Sequence, residues 1–481
     1  MAKAKTKTSG KKEKLSDKLF FKHKNCWEDI DKKTEKEVED FASAYKIFLD
    51  KGKTERECVD VICELLNKNG FVNIDTLKQN TFKPGMKIYQ NIRGKSLLAA
   101  VIGKKPASEG CNILGAHLDS PRLDLKQNPL YEDSDLALFD THYYGGIKKY
   151  QWTTIPLSMH GVFINENGKK TTIKIGEDPG DPVFTVTDLL PHLAKEQMEK
   201  KASVAVEGED LDILAGSRPY PDKNEKEKVK LALLDLLNKK YGITERDFTS
   251  AEIEFVPAFK ASDVGLDRSL IGAYGHDDRC CAWPALQALI ELASGSGAAA
   301  KTIPNKTLVC YFSDKEETGS AGNTGARSLN FENFLVMLCG EADRRLCFSR
   351  SAMLSADVNA AFDPTYANVF DKKNASFMGR GIVLEKYTGS GGKYGASDAN
   401  AEFCAKVQAI LNRNKIQWQC GQLGKVDKGG GGTIALYAAN LGMDVLDCGV
   451  PVLSMHSPFE IISKIDLYTT YLGYIAFLRD A

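Results

Sequence analysis

Cys111-Asn112-Ile113-Leu114-Gly115-Ala116-His117-Leu118-Asp119 is an apolar run that ends on a histidine and an acid. A short apolar run of this kind, with turn signals around it, reads as a buried strand over Cys111–Ala116. Open α/β sheets place their sites at the carboxyl ends of strands, where residues far apart in sequence converge. The same form recurs along the chain. Thr307–Phe312 runs into Asp314-Lys315-Glu316-Glu317-Thr318-Gly319, Ala352–Ala356 ends in Asp357, and Val450–Met455 ends in His456. Glu402–Asn412 and Thr433–Asn440 read as helices between strands. Strand alternating with helix predicts an α/β layer with a mainly parallel sheet. A further acidic segment, Gly275-His276-Asp277-Asp278-Arg279, precedes a helix with Leu286, Leu289 and Ile290 on one face.

Outside this layer the chain reads differently. Residues 15–70 are mostly helical, with Val38, Phe41, Ala42, Tyr45 and Phe48 at three- and four-residue spacing. Between about 122 and 262 the rhythm breaks. Strand-like pieces (Trp152–Pro156, Gly161–Ile164, Thr171–Ile175, Glu252–Pro257) surround a Lys- and Glu-rich stretch, Lys195–Lys240. The expected architecture is a catalytic α/β domain in two parts, 1–121 and 263–481, interrupted by a β-rich insert at 122–262. The first fourteen residues carry six lysines and no apolar run, so they read as a solvated tail rather than a secretion signal.

Composition narrows the function classes. With 481 residues, 43% hydrophobic and 27% charged, the chain can bury a large core and is not disordered as a whole. Lys plus Arg and Asp plus Glu both number 64, so no overall field favours nucleic acid or an anionic membrane. No apolar run approaches the ~20 residues of a spanning helix. The twelve cysteines include no CxxC pair and read as buried thiols in a cytoplasmic protein.

Taken singly, the site motifs are weak. A histidine at a strand end is more often a hydrogen-bonded structural residue, and acids before a helix are usually favoured by the helix dipole. Together, however, two histidines and at least three carboxylates suit a pair of divalent ions such as zinc, manganese or cobalt. Lys425-Val426-Asp427-Lys428-Gly429-Gly430-Gly431-Gly432-Thr433 is not a phosphate loop, because its lysines precede the glycines. It reads either as a loop bringing the backbone close to the site, with Gly431 lining a substrate cleft, or as a surface turn before a helix.

Gly115-Ala116-His117-Leu118-Asp119-Ser120-Pro121 resembles the signature of the aspartyl aminopeptidase family of dinuclear zinc aminopeptidases. The resemblance continues in order through Asp277-Asp278-Arg279, Asp314–Ser320, Ser355-Ala356-Asp357 and Met455-His456-Ser457, and spans about residue 30 to the C-terminus. Ser390–Asn400 and Lys425–Thr433 look closer to its bacterial branch. The resemblance implies a role for each residue. Asp277 would bridge two metals, His117 and Asp357 would complete one, and Glu317 and His456 the other. Glu316 would be the general base, and Asp119 would fix the tautomer of His117. Asp277 and Asp278 compete for the bridge; the family pattern puts the bridging acid first, leaving Asp278 a helix-start hydrogen bonder.

The resemblance further implies that the insert is a dimerisation domain within a homo-oligomer, typically of twelve subunits, with short peptides as substrates. In that setting His160 would reach the neighbouring subunit's site, although a lone histidine beside a strand, like His142, is more often structural. Lys393 is the nearest match to the lysine that the family uses against acidic N-terminal side chains; related enzymes prefer leucine. Two other functions are compatible with these residues: a dinuclear amidohydrolase or deacylase acting on N-acyl substrates, and a non-catalytic assembly or cargo protein.

Overall fold

The structure is a computed structural model that describes residues 14–77, 81–222, 224–295 and 302–481. Apart from Lys14, the lysine-rich tail lies outside them. Strand Cys111–His117 is wholly buried near the middle of a nine-stranded sheet. It pairs in parallel with Thr307–Ser313 on one side and Ala352–Ser355 on the other, and Ala352–Ser355 pairs in parallel with Asp444–Gly449. Antiparallel pairings flank this parallel centre: Ser96–Val101 lies against Thr307–Ser313, and Ile382–Glu385 against Asp444–Gly449. A strand buried on both faces needs cover on both. Helices His276–Ser294 and Lys464–Asp480 cover one face, and Asn330–Cys339 and Ala435–Asn440 the other.

The amino-terminal helices follow from spacing and caps. Lys32–Lys51 starts where the Asp31 carboxylate accepts the Thr34 N–H, and it buries Val38, Ala42, Tyr45 and Phe48. Glu55–Lys68 opens on a Thr54/Glu57 capping box, which satisfies N–H groups left over at the helix start.

A second, antiparallel sheet of seven strands draws all of them from between Arg122 and Pro257. Its first strand, Arg122–Asp133, begins just past the His117-Leu118-Asp119 turn. Charged groups buried between this sheet and the helices pair with one another. Lys53 meets Glu177 at 2.8 Å, and Arg122 stands 3.5 Å from Glu55 and 3.2 Å from Glu254. Trp152–Pro156, expected to be strand-like, is irregular, and the strand starts at Leu157.

A third sheet of five strands holds Pro451–Leu453. Here the sequence reading needs correcting, because Val450–Met455 is not a strand of the large sheet. That strand is Asp444–Gly449, and the chain leaves it at Gly449-Val450-Pro451, where proline has no N–H to extend a ladder. Gly449 is required at the exit: a Cβ there would stand 2.0 Å from the Asp357 carbonyl oxygen. All twelve cysteines are free, and seven of them are buried.

Candidate metal centre

The parallel strands deliver their polar ends to one place. His117 is the last residue of its strand, Asp314 to Glu317 follow Thr307–Ser313, and Asp357 follows Ala352–Ser355. Asp277 and Asp278 stand in the non-helical first turn of His276–Ser294, and the peptide bond between them is cis. That helix starts at Gly275 with φ +75°, and a Cβ there would stand 2.2 Å from Arg279 Nη1, so only glycine fits.

Asp277 is the hub. Its Oδ1 lies 3.1 Å from His117 Nε2, and its Oδ2 lies 3.3 Å from His456 Nε2. Glu317 Oε2 is also 3.3 Å from His456 Nε2. Two groups of side chains converge closely enough to hold an ion, His117–Asp277–Glu317 and His117–Asp278–Asp357. Glu316 belongs to neither; its Oε2 stands 3.8 Å from His117 Nε2.

The surrounding groups hold these ligands in place. The Asp119 carboxylate accepts the Glu316 N–H at 3.1 Å and the Glu317 N–H at 3.2 Å. It also accepts the Tyr144 hydroxyl at 2.8 Å and stands 3.4 Å from His117 Nδ1. Arg122 lies over the Tyr144 ring, 3.8 Å from its centroid. Glu460 accepts the N–H of Asp277 at 3.0 Å and that of His456 at 2.6 Å.

The electrostatics are those of a site short of positive charge. Burial raises the carboxyls of Asp278, Glu317 and Asp357 well above the ordinary range, and neighbouring acids add to the effect. Burial, with the charges of Asp277 and Asp119, pushes Glu316 up to about 7. Burial acts the same way on Asp277, but hydrogen bonds from His117 and His456 outweigh it and hold that carboxyl low. Glu317 Oε1 and Asp278 Oδ1 are buried without hydrogen-bond partners. Buried carboxylate oxygens left without donors, beside two imidazoles, form a donor set that fits divalent cations.

The structure therefore brings together His117, Asp119, Asp277, Glu316, Glu317, Asp357 and His456. Gly431 joins them: Gly430, Gly431 and Gly432 line a cleft of about 190 Å3 that also contains Asp277, Glu316 and His456. Asp278 has more than a helix-start role, since its Oδ2 accepts the His117 N–H at 3.1 Å and it shares a ligand group. Two predicted residues are not brought in. Lys393 is exposed, pairs with Asp398 at 3.0 Å, and borders an adjoining hollow instead of the cleft. His160 is fully buried between Glu57 at 2.9 Å and Ser158 at 3.0 Å, so its ring has no path to another subunit. Sequence reasoning passed over Tyr144 and Glu460, which no local motif marks.

A fold that gathers acids and histidines at parallel strand ends defines a metallohydrolase-like α/β protein. The family described as "Aminopeptidase I zinc metalloprotease (M18)" matches residues 48–478, and the chain belongs to this M18 family of aminopeptidases. It is 51% identical to a probable M18 family aminopeptidase 1 of Clostridium acetobutylicum, over 96% of this chain and 99% of that one. A crystal structure of an M18 family aminopeptidase from Thermotoga maritima matches with a TM-score of 0.90 and 45% identity, covering 96% of this chain and 100% of that one. The S. cerevisiae mApe1 dodecamer, 22% identical with a TM-score of 0.73 over 92% of this chain and 97% of that one, shares the fold. Among the described residues, no helix is long and apolar enough to cross a membrane.

Proposed function

We propose that this aminopeptidase is a two-metal enzyme that releases N-terminal residues from short peptides, with Glu316 as its general base. One observation carries the reading: the two oxygens of Asp277 face different histidines, His117 at 3.1 Å and His456 at 3.3 Å. His117, Asp357 and Asp277 would hold one cation, with Asp278 at hand, and Glu317, His456 and Asp277 the other. Zinc is the expected metal, with cobalt and manganese as alternatives. When bound, such a pair lowers the pKa of a water molecule and polarises the scissile carbonyl.

The chain's own groups supply the remaining steps. Glu316 would take the proton of the attacking water and pass it to the departing amine. Asp119 holds the backbone of both Glu316 and Glu317, so base and ligand keep a constant spacing. The glycines at 430–432 bring the backbone to the cleft wall without side chains in the way.

The domain plan, 1–121 with 263–481 around an insert at 122–262, extends the proposal to assembly. Val183, Leu189, Leu190, Leu193 and Met198 are exposed in the insert, and large apolar side chains exposed this close together in sequence suit an interface. A homo-oligomer built on dimers through the insert is the reading this supports, and mApe1 is described as a dodecamer. Among the insert's three histidines, His160 is buried, and His142 and His192 stand exposed. Twelve free cysteines accord with a cytoplasmic, reducing setting.

Leucine p-nitroanilide and its N-acetyl derivative, with zinc-loaded and chelated protein, test the reading. Chelator-sensitive cleavage of the free amine alone is expected. Equal cleavage of the acetylated substrate would make the protein an amidohydrolase; inertness to both would return the assembly-protein reading.

A further inference from the structure

We propose that the bend Tyr144-Gly145-Gly146 is a positioning element for one of the two cations: it holds Glu317 and His456 in place, and its geometry decides whether the cation between them stays bound. This rests on the two-metal reading above and assigns a part of that site to the seven-stranded sheet, outside the catalytic layer. Strand Leu136–Tyr144 of that sheet runs into the bend. A Cβ on Gly145, where φ is +77°, would stand 3.4 Å from Glu317 Cβ and 3.3 Å from Pro121. A Cβ on Gly146 would meet the His456 ring alone, 3.4 Å from Nδ1. Glu317 and His456 are the two ligands that this cation does not share with its neighbour, so the bend packs on one cation's own ligands.

The two histidines of the centre are fixed in different ways. The Gly146 carbonyl lies 2.9 Å from His456 Nδ1. A carbonyl only accepts, so Nδ1 carries the proton and donates it. The lone pair of Nε2 is then left facing Asp277 Oδ2 and Glu317 Oε2, both 3.3 Å away, which is the tautomer a ligand needs. His117 is fixed within its own turn, where Nδ1 donates to the Asp119 carbonyl at 3.0 Å, two residues on. His456 instead depends on a residue 310 positions away, and its side chain is 35% exposed against 1% for His117.

The seven-stranded sheet holds the bend from behind. Arg122 stands opposite Tyr144 in the antiparallel ladder, with its guanidinium 3.8 Å from the ring centroid. Asp124 at 2.8 Å and Glu254 at 3.2 Å pin Arg122, and both lie on strands of the same sheet. The Tyr144 hydroxyl donates to Asp119 at 2.8 Å, which ties the bend to the catalytic layer. A shift of the sheet against that layer carries the Gly146 carbonyl away from His456, while the His117 ring keeps its partner two residues on. Loss of such an outer hydrogen bond lowers metal affinity by about 10–100-fold.

The test is titration of the metal-free protein with Co2+, followed by visible absorption and metal content, for wild type, Gly145→Ala, Gly146→Ala and Gly168→Ala. Gly168 is the matched control: its φ is +74°, and a Cβ there meets nothing within 4 Å, so Gly168→Ala strains the backbone of the same sheet without touching the site. Wild type and Gly168→Ala are expected to take up both cations. Gly145→Ala and Gly146→Ala are expected to bind the first cation as wild type does, to hold the second about 10–100-fold more weakly, and to change the spectrum of the second alone. Two results would overturn the inference: both variants binding both cations with wild-type affinity and spectrum, or both cations weakened equally. Should Gly145→Ala not fold, Gly146→Ala decides. A wild type that binds one cation per chain or none would overturn the two-metal reading and this inference with it, whereas a two-cation wild type with unaffected variants overturns this inference alone.

Discussion

Replacing Asp119 by Asn tests the support of the site, because it keeps the shape and removes the charge. The carboxylate accepts the Glu316 N–H at 3.1 Å on Oδ1, and the Glu317 N–H at 3.2 Å and the Tyr144 hydroxyl at 2.8 Å on Oδ2. A carboxamide has one oxygen, so in either orientation its NH2 group faces a backbone N–H. The Tyr144 hydroxyl can rotate to accept; a peptide N–H cannot. One hydrogen bond to a charged acceptor is lost, about 1.5–3 kcal/mol, and a buried donor is left unpaired, about 1–3 kcal/mol. Asp119 is fully buried, so water does not repair the loss. A destabilisation of about 3 kcal/mol is expected, with kcat/KM or metal affinity down about 10–100-fold as Glu316 and Glu317 lose their anchor. Urea denaturation, metal content and anilide kinetics on the same preparations measure all three. Asp119→Asn within about 0.5 kcal/mol of wild type and of equal activity would refute the reasoning.

Other outcomes follow from the same geometry. Tyr144→Phe keeps the ring under Arg122 but removes the hydroxyl from Asp119, and is expected to cost about 1 kcal/mol in chemical denaturation. Gly449→Ala puts a Cβ 2.0 Å from the Asp357 carbonyl oxygen; about 2–3 kcal/mol of stability and part of the bound metal should be lost together, read by melting and metal analysis. Asp263 supplies a pH dependence. Burial raises its carboxyl, but Lys46, Arg268 and Lys464 outweigh this and bring it from 3.8 to about 2. Because the folded value is depressed, its contribution is present above the ordinary carboxylate value and is lost as pH falls towards 2. After solvent screening, Asp263→Asn should flatten the stability–pH curve between about pH 5 and 2 by about 1 kcal/mol.

What could be read from the chain depended on how local the deciding physics was. Cys111–His117, Thr307–Ser313 and Ala352–Ser355 are short apolar runs whose burial needs no distant information. The paired ladder at Asp444–Gly449 was hidden by Asp444 and Asp447, polar residues in a strand whose burial depends on neighbours far along the chain. Val450–Met455 looked more like a strand than it did, until Gly449 and Pro451 are seen to turn the chain into another sheet. The same limit applies at the site. Asp278 next to a helix invites a local role, yet its partner is the His117 N–H, 161 residues away. The sequence reading put His160 beside a strand but did not reveal that Glu57 and Glu177 bury it.

The most direct test of the account is Glu316→Gln, with metal content and Leu-anilide turnover measured on one preparation. With Glu316 as base and not as ligand, the metal content should match wild type. Turnover should fall by about 10²–10⁴-fold, the contribution of a general base. Unchanged turnover at unchanged metal content would remove Glu316 from the chemistry and contradict the account.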